Sequence, residues 1–332
     1  MRVIRCGKPV NLVTIAGMAA SPSLRELARD AGVSVAAMSN ALSGKGKLAS
    51  ATRKRLRALA AERGYRPRPA LAALSGLRSG AGGGGLALIG LLADKAPDHP
   101  ELVAAARALG YHALPISVGA EDAPSLHRRL LATGAVGLVL GRSERTDLFL
   151  HPWTDLAVVC SSAVPPGCPY HRVGGDSLDT MWRGWLHLLG LGCRRIGAVL
   201  FGHRPSIEDD HARLGAMLAA QRELGGGAIP PFTGGFTAAE GVAAWAGEHR
   251  PDGLIAFHAG ARAMGGAALR GVPMVSLHLP RSDRRLTGFV IDEERYAAAA
   301  IRVLDAAFRQ NDLGPSSEPL AIRLRPIWRD GL

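Results

Sequence analysis

From Leu24 onward the apolar positions Leu24, Leu27, Ala28 and Ala31 recur at helical spacing. Ser23, with Glu26 three residues on, forms a capping box at the start of this run, which predicts a helix beginning at Leu24. Gly32 stops it, because glycine takes positive φ without steric cost. Ser34 is placed to cap a second, short helix from Val35 to about Leu42, with Val33 as the buried residue of the turn. Met38, Ala41 and Leu42 face inward in this pattern, leaving Val35, Ala36, Ser39 and Asn40 outward. A basic loop, Ser43-Gly44-Lys45-Gly46-Lys47, leads to a third helix capped by Ser50 and closed by Gly64. Leu56, Leu59 and Ala60 point inward there, while Arg53, Lys54, Arg55 and Arg57 point mostly outward.

The pattern changes after Ser75–Gly85 (SGLRSGAGGGG), a linker by composition. Short continuous apolar runs now alternate with helical stretches. Predicted strands are Leu86–Leu92, Ala113–Val118, Ala135–Leu140, Ala157–Cys160, Arg195–Phe201, Gly253–Phe257 and Met274–Leu277. Predicted helices are Glu101–Leu109, Ser125–Ala132, Asp179–Leu189, Asp209–Leu224, Thr237–Glu248, Ala261–Leu269 and Arg295–Gln310. Continuously apolar strands alternating with helices imply parallel sheets in an α/β fold, and the length accommodates two of them.

Charge is divided unevenly along the chain. The 332 residues carry a formal net charge of +12, and residues 1–80 alone, with 15 Lys/Arg and 3 Asp/Glu, account for all of it. A basic module on a neutral body fits a polyphosphate partner. Three short helices, a tight turn between the first two and a basic Pro-containing tail suit a protein that places one helix in a DNA groove. The composition, 47% apolar, excludes wholesale disorder. Cys6, Cys160, Cys168 and Cys193 form no CxxC and no zinc spacing, and read as reduced thiols of a cytosolic protein.

Residues 1–20 imitate a secretory signal only loosely, since Asn11, Thr14 and Gly17 interrupt the apolar run. They read as a flexible extension, with Met18 as an alternative start. No run is long enough to span a membrane. Gly82–Gly85 precedes a strand rather than following one and lacks G-x-G-x-x-G, and no G-x-S-x-G, HExxH or P-loop occurs. No catalytic residue, metal or cofactor is therefore expected. Asp209-Asp210-His211 looks like a metal cluster but reads as the solvated start of a helix, where acids are favoured.

LARDAGVS, VSVAAMSNALSGKG, SATRKRL and RGYRP, in this order, closely resemble the lactose-repressor (LacI) family of bacterial transcription regulators. Weaker matches follow in GCRRIGAVL, ARLGAMLAA, DGLIAFHAG, PMVSLHL and LTGF. The resemblance implies an all-α helix-turn-helix headpiece (residues 21–66) behind the 1–20 extension, and a hinge helix and linker (67–85). An α/β core (86–332) follows, a two-lobed, parallel-sheet, periplasmic-binding-protein-like (type I) sensor domain that dimerises. Its chain crossings fall near Asp176, Gly288 and Gln310. The first lobe is then about 86–175 and 289–310, and the second about 176–287 and 311–332.

The resemblance also implies roles. Val35, Ala36 and Asn40 face base edges in the major groove, where asparagine can bond adenine bidentately. Asn40 takes a place where the family often has arginine, which implies a different preferred base. Ser34, Ser39, Lys45, Lys47 and Arg53 fall to backbone contacts, which position without specifying. Leu74, beside Arg68 in the hinge, matches a leucine that wedges into the minor groove. The implied partners are a pseudo-palindromic double-stranded operator, a second copy of the chain (a tetramer stays open) and a small-molecule effector, in the cytoplasm and away from membranes. The function implied is that of a repressor.

In the cleft Arg213 falls on the arginine that commonly grips the ligand. The sugar-binding amides and carboxylates do not recur, since His258-Ala259-Gly260, His278-Leu279 and Ile291-Asp292 stand in their places. An ordinary sugar is therefore doubtful. Three readings stay open: another effector lined by Arg213, His258 and His278, which an acidic ligand would suit; a vestigial cleft; or matching positions displaced by a residue or two. Each histidine equally reads as a satisfied core residue at a strand end. The rival function is a periplasmic-type small-molecule-binding protein with no DNA-reading role.

Overall fold

A computed structural model of the chain describes residues 24–43, 48–63, 87–94, 99–161, 164–203, 206–235 and 239–331. The extension 1–20, Lys45, Lys47 and the hinge with Arg68 and Leu74 lie outside the described residues. The chain divides into two compact units, one up to Ala72 and one from Ala73.

The first unit contains α1 (Leu24–Asp30), α2 (Val35–Ser43) and α3 (Ser50–Glu62). Gly32, at φ +64°, reverses the chain after α1, and the Val33 amide donates back to the Ala28 carbonyl at 3.0 Å. The Ser34 hydroxyl accepts from the Ala37 amide at 3.1 Å, capping α2 as its sequence predicts. Leu27, Ala28, Met38, Ala41, Leu56 and Ala60 are buried together, each helix giving two residues to one small core.

The second unit holds two sheets. One has the order β10-β5-β4-β3-β1-β2, from β1 (Ala87–Ala93), β2 (Tyr111–Ser117), β3 (Ala135–Leu140), β4 (Ala157–Cys160), β5 (His171–Gly175) and β10 (Ala321–Leu324). All its pairings are parallel. The other has the order β11-β9-β8-β7-β6, from β6 (Ile196–Val199), β7 (Gly253–Ala256), β8 (Met274–Leu279), β9 (Gly288–Val290) and β11 (Ile327–Arg329), with only β11 antiparallel. Strands β3, β4, β6 and β7 are buried at every position, the reason they read as unbroken apolar runs.

The first sheet is flanked by α4 (Pro100–Ala108), α5 (Ala123–Ala132), the short α6 (Thr146–Leu150) and the long α11 (Glu293–Gln310), which packs on β3, β4 and β5. Asp122 and Asp292 cap α5 and α11 by accepting from the Ser125 and Arg295 amides. The second sheet carries α7 (Ser177–Gly190), α8 (Glu208–Leu224), α9 (Ala239–His249) and α10 (Ala261–Met264). Trp153, Tyr170 and Phe149 anchor the first core, and Trp185, Met217 and Phe289 the second.

The chain passes between lobes three times. The first passage is at Asp176, whose carboxylate caps α7 by accepting from Leu178 and Asp179 at 3.1 and 3.0 Å. The second follows β9. The third is not near Gln310: α11 ends in Asn311 at left-handed φ, and the chain stays with the first lobe until β10 has paired with β5, from Ala321 against Arg172 to Leu324 against Gly175. Residues 321–324 thus belong to the first lobe and 288–290 to the second, and the last passage lies between β10 and β11. β10 and β11 are short, hold no fully buried residue and are each interrupted or ended by an arginine, so their sequence shows no unbroken apolar run.

Two further expectations are corrected. The single helix Ala261–Leu269 is α10 followed by a 3-10 turn, Gly266–Leu269, broken at Gly266 with φ +54°. The strand Arg195–Phe201 ends at Val199, before Phe201 takes φ +39°. Among the described residues no helix is long and apolar enough to cross a membrane.

Candidate functional site

Two sites follow from the two units. In the first, α2 packs through Met38 and Ala41, both wholly buried, which turns its opposite side away from the core. Val35, its first residue, is 42% exposed, and Asn40 is half-buried. The side chains of Ala36 and Ser39 lie outside the described residues, while Arg53 is half-buried on α3. Ser34 is exposed; its oxygen accepts the capping bond, and its hydroxyl proton remains to be donated. Arg57 has a structural task that its charge pattern hides. Its Nε donates to the Ala41 carbonyl at 2.9 Å and so satisfies an end of α2.

The second site is a cavity of about 920 Å³ between the two sheets of the second unit. Arg213, His258 and His278 all line it, so the structure brings these three together from α8, the end of β7 and β8. Arg213 is buried at 7% exposure and lies over the Phe257 ring, 4.2 Å from its centroid. Its guanidinium donates to the Asp210 carboxylate. Asp210 also accepts from the His203 amide and ring, each at 2.9 Å, and from the Ile207 amide at 3.2 Å. Burial raises the Asp210 pKa, but the His203 bonds, the Ile207 amide and the Arg213 charge outweigh it and hold the carboxyl below its ordinary value. The cluster at the start of α8 is therefore a hydrogen-bonded hub rather than the solvated helix start expected for Asp210. No group of side chains able to hold a metal occurs among the described residues.

His258 stacks on Phe201, with ring centroids 4.8 Å apart and planes 7° apart. The Gly260 amide donates to its Nδ1 at 3.0 Å, so the neutral ring carries its proton on Nε2. His278 meets Phe257 edge-on at 5.7 Å. Desolvation lowers the pKa of both histidines; for His278 the charges of Arg213, His258 and Arg142 lower it further. Both therefore face the cavity as neutral imidazoles at neutral pH.

Phe149, Phe257, Leu277 and Ile291 give the cavity apolar walls. Glu101, Glu144, Asp176, Asp209 and Glu293 line it with carboxylates, against Arg142 and Arg213. Since Arg213 is already committed to Asp210, negative charge prevails. This balance weighs against the acidic ligand that Arg213, His258 and His278 by themselves suggest. Phe257, Arg142 and His203 went unnoticed in the sequence; the local traces of the hub are the three-residue spacings of Ile207 and Arg213 to Asp210 and the seven-residue spacing of His203 and Asp210.

Residues 23–68 match the model of the bacterial regulatory proteins of the lacI family. No curated protein matches the chain in sequence. Among solved structures, the Lac repressor dimer bound to operator and the anti-inducer ONPF is 17% identical with a TM-score of 0.58, over 94% of this chain and 98% of that one. The transcriptional regulator CelR in complex with cellobiose is 17% identical with a TM-score of 0.56, over 93% and 98%. The Cra transcriptional dual regulator from Pseudomonas putida, in complex with fructose 1-phosphate, is 16% identical with a TM-score of 0.53, over 74% and 98%. At these identities the likeness is one of fold, and it extends through both lobes. The headpiece thus matches the model of the lacI family over residues 23–68, and the rest of the chain shares the fold of these regulators.

Proposed function

We propose that the chain is a cytoplasmic, sequence-specific transcription regulator, a repressor, that reads a pseudo-palindromic operator as a homodimer under the control of a small-molecule effector. One observation carries the reading. The helix whose own residues Met38 and Ala41 are sealed in the headpiece core presents Val35 outward, in the stretch of chain that holds the whole net charge of +12. Val35, Ala36 and Asn40 are the base-reading residues, and Ser34, Ser39, Lys45, Lys47 and Arg53 the phosphate contacts. Leu74 and Arg68 serve the minor groove. No catalytic role is assigned.

The effector sits in the cavity with Arg213, His258 and His278. The relatives' structures hold cellobiose and fructose 1-phosphate. Aromatic and aliphatic walls, neutral imidazoles and surplus carboxylates suit instead a largely apolar molecule that is neutral or cationic.

The test is selection of genomic fragments by the purified full-length protein, followed by sequencing. Two inverted half-sites, bound with an affinity that falls steeply with salt, support the reading. Binding no better than to random duplex, at every salt concentration and with cell extract added as effector source, sinks it in favour of a small-molecule-binding protein without a DNA-reading role.

A further inference from the structure

Cys160 and Cys168 lie at the two ends of the β4–β5 connection, their sulfurs 3.7 Å apart. Nothing in the regulator reading uses them. Their approach is built by a turn from Pro165 to Cys168, in which Pro166 fixes φ and Gly167 takes φ +80°. The turn closes through the Cys168 amide on the Pro165 carbonyl at 3.3 Å. Cys160 is wholly buried and Cys168 half-buried, so only one sulfur of the pair meets solvent. The Cys160 thiol hydrogen-bonds the Cys168 sulfur and stabilises its thiolate, lowering the Cys168 pKa, while burial pushes Cys160 well up. One attacking and one resolving thiol result.

The connection also touches the second lobe. The Glu208 amide, at the first residue of α8, donates to the Val164 carbonyl at 3.1 Å, and the Glu208 carboxylate pairs with Arg172 of β5. Ser161 and Pro165 of the same connection line the cavity.

We propose that Cys160 and Cys168 form a reversible disulfide in response to peroxide, and that this bond resets the contact between the β4–β5 connection and α8. The Cys168 thiolate attacks the peroxide oxygen; the O–O bond breaks, leaving a sulfenic acid on Cys168 and releasing hydroxide. Cys160 yields its proton to that hydroxide, and its sulfur attacks Cys168, expelling a second hydroxide that is protonated to water. Two thiols are thereby oxidised, and one peroxide is reduced by two electrons. Bond formation needs the sulfurs to approach from 3.7 Å to about 2.05 Å. That shift draws the connection inward and moves the Val164 carbonyl that Glu208 holds. The site is independent of the DNA reading.

The experiment treats full-length protein with hydrogen peroxide, alkylates the remaining thiols and maps peptides without reduction. The expected product is a peptide cross-linked between Cys160 and Cys168, lighter by two hydrogens and restored by dithiothreitol. In C160A, Cys168 stops at a sulfenic acid that dimedone captures, whereas in C168S the buried Cys160 stays unmodified. Hydrogen exchange in 161–170 and in the first turn of α8 then differs between reduced and oxidised protein. Alkylation of both thiols after peroxide, or oxidation of Cys168 without a cross-link, overturns the disulfide. Identical exchange in the two states overturns its coupling to α8.

Discussion

Arg57 of α3 donates from Nε to the carbonyl of Ala41 in α2 at 2.9 Å, and its Nη2 reaches the Leu42 carbonyl at 3.4 Å. A residue whose charge pattern suggests only a solvated or phosphate-facing side chain thus holds the end of the DNA-facing helix. Arg57→Ala should cost about 0.5–1.5 kcal/mol, the net worth of a hydrogen bond. Faster hydrogen exchange in α2 of the full-length protein, with exchange in the second unit unchanged, is the expected signature.

Met38 and Asn40 lie two residues apart on α2 but on different sides. Met38 is wholly buried, so Met38→Ala should destabilise the headpiece by about 2–5 kcal/mol and abolish DNA binding through unfolding. Asn40→Ala should leave the melting curve in place and instead relax base preference at one operator position, by about 1–3 kcal/mol. Thermal melts beside binding selections separate the two. Equal loss of fold in both variants would contradict the assigned faces.

Asp210→Asn should be severe. The side chains of Asp210 and Arg213 are 11% and 9% exposed, so the substitution strands a buried guanidinium, at about 3–5 kcal/mol. The Asp210 pKa is lowered in the folded chain. Its stabilisation is therefore present above the unfolded value and lost as pH falls through the folded one. Wild type should lose more stability than Asp210→Asn between neutral and strongly acidic pH, as read by urea unfolding.

His258 and His278 give a different pH dependence. Their folded pKa values are lowered, so the unfolded chain binds protons that the native chain refuses. Stability attributable to them is intact above the unfolded value, about 6.5, and falls as pH drops below it. The double variant His258→Gln/His278→Gln should show a shallower decline between pH of about 7.5 and 5.5. An unchanged slope would mean that both imidazoles are already solvated.

Gly288 takes φ +153°, and a Cβ there would collide with the Ser276 carbonyl across the β8–β9 pair. Gly288→Ala should disrupt the second sheet next to a passage between lobes. Circular dichroism melts of that variant should begin well below those of Gly119→Ala, where an added methyl meets open space.

The chain's local pattern determined the headpiece. Capping at Ser34 and reversal at Gly32 involve near neighbours, and the inward set Leu27, Met38, Ala41 and Leu56 is marked by the apolar spacing within each short helix. It also determined the α/β class, because β3, β4, β6 and β7 are buried on both sides and must be apolar throughout. Tertiary structure alone decided the rest. β10 and β11 join their sheets through backbone pairing, which leaves no mark on side-chain type, and so the last passage between lobes was misplaced in the sequence. The character of the cavity was likewise hidden. Arg213 looked free to grip an anion until the fold set Asp210 and Phe257 against it and gathered carboxylates from both lobes around the same space. Electrostatic character is a sum over groups distant in sequence, and only the folded chain performs that sum.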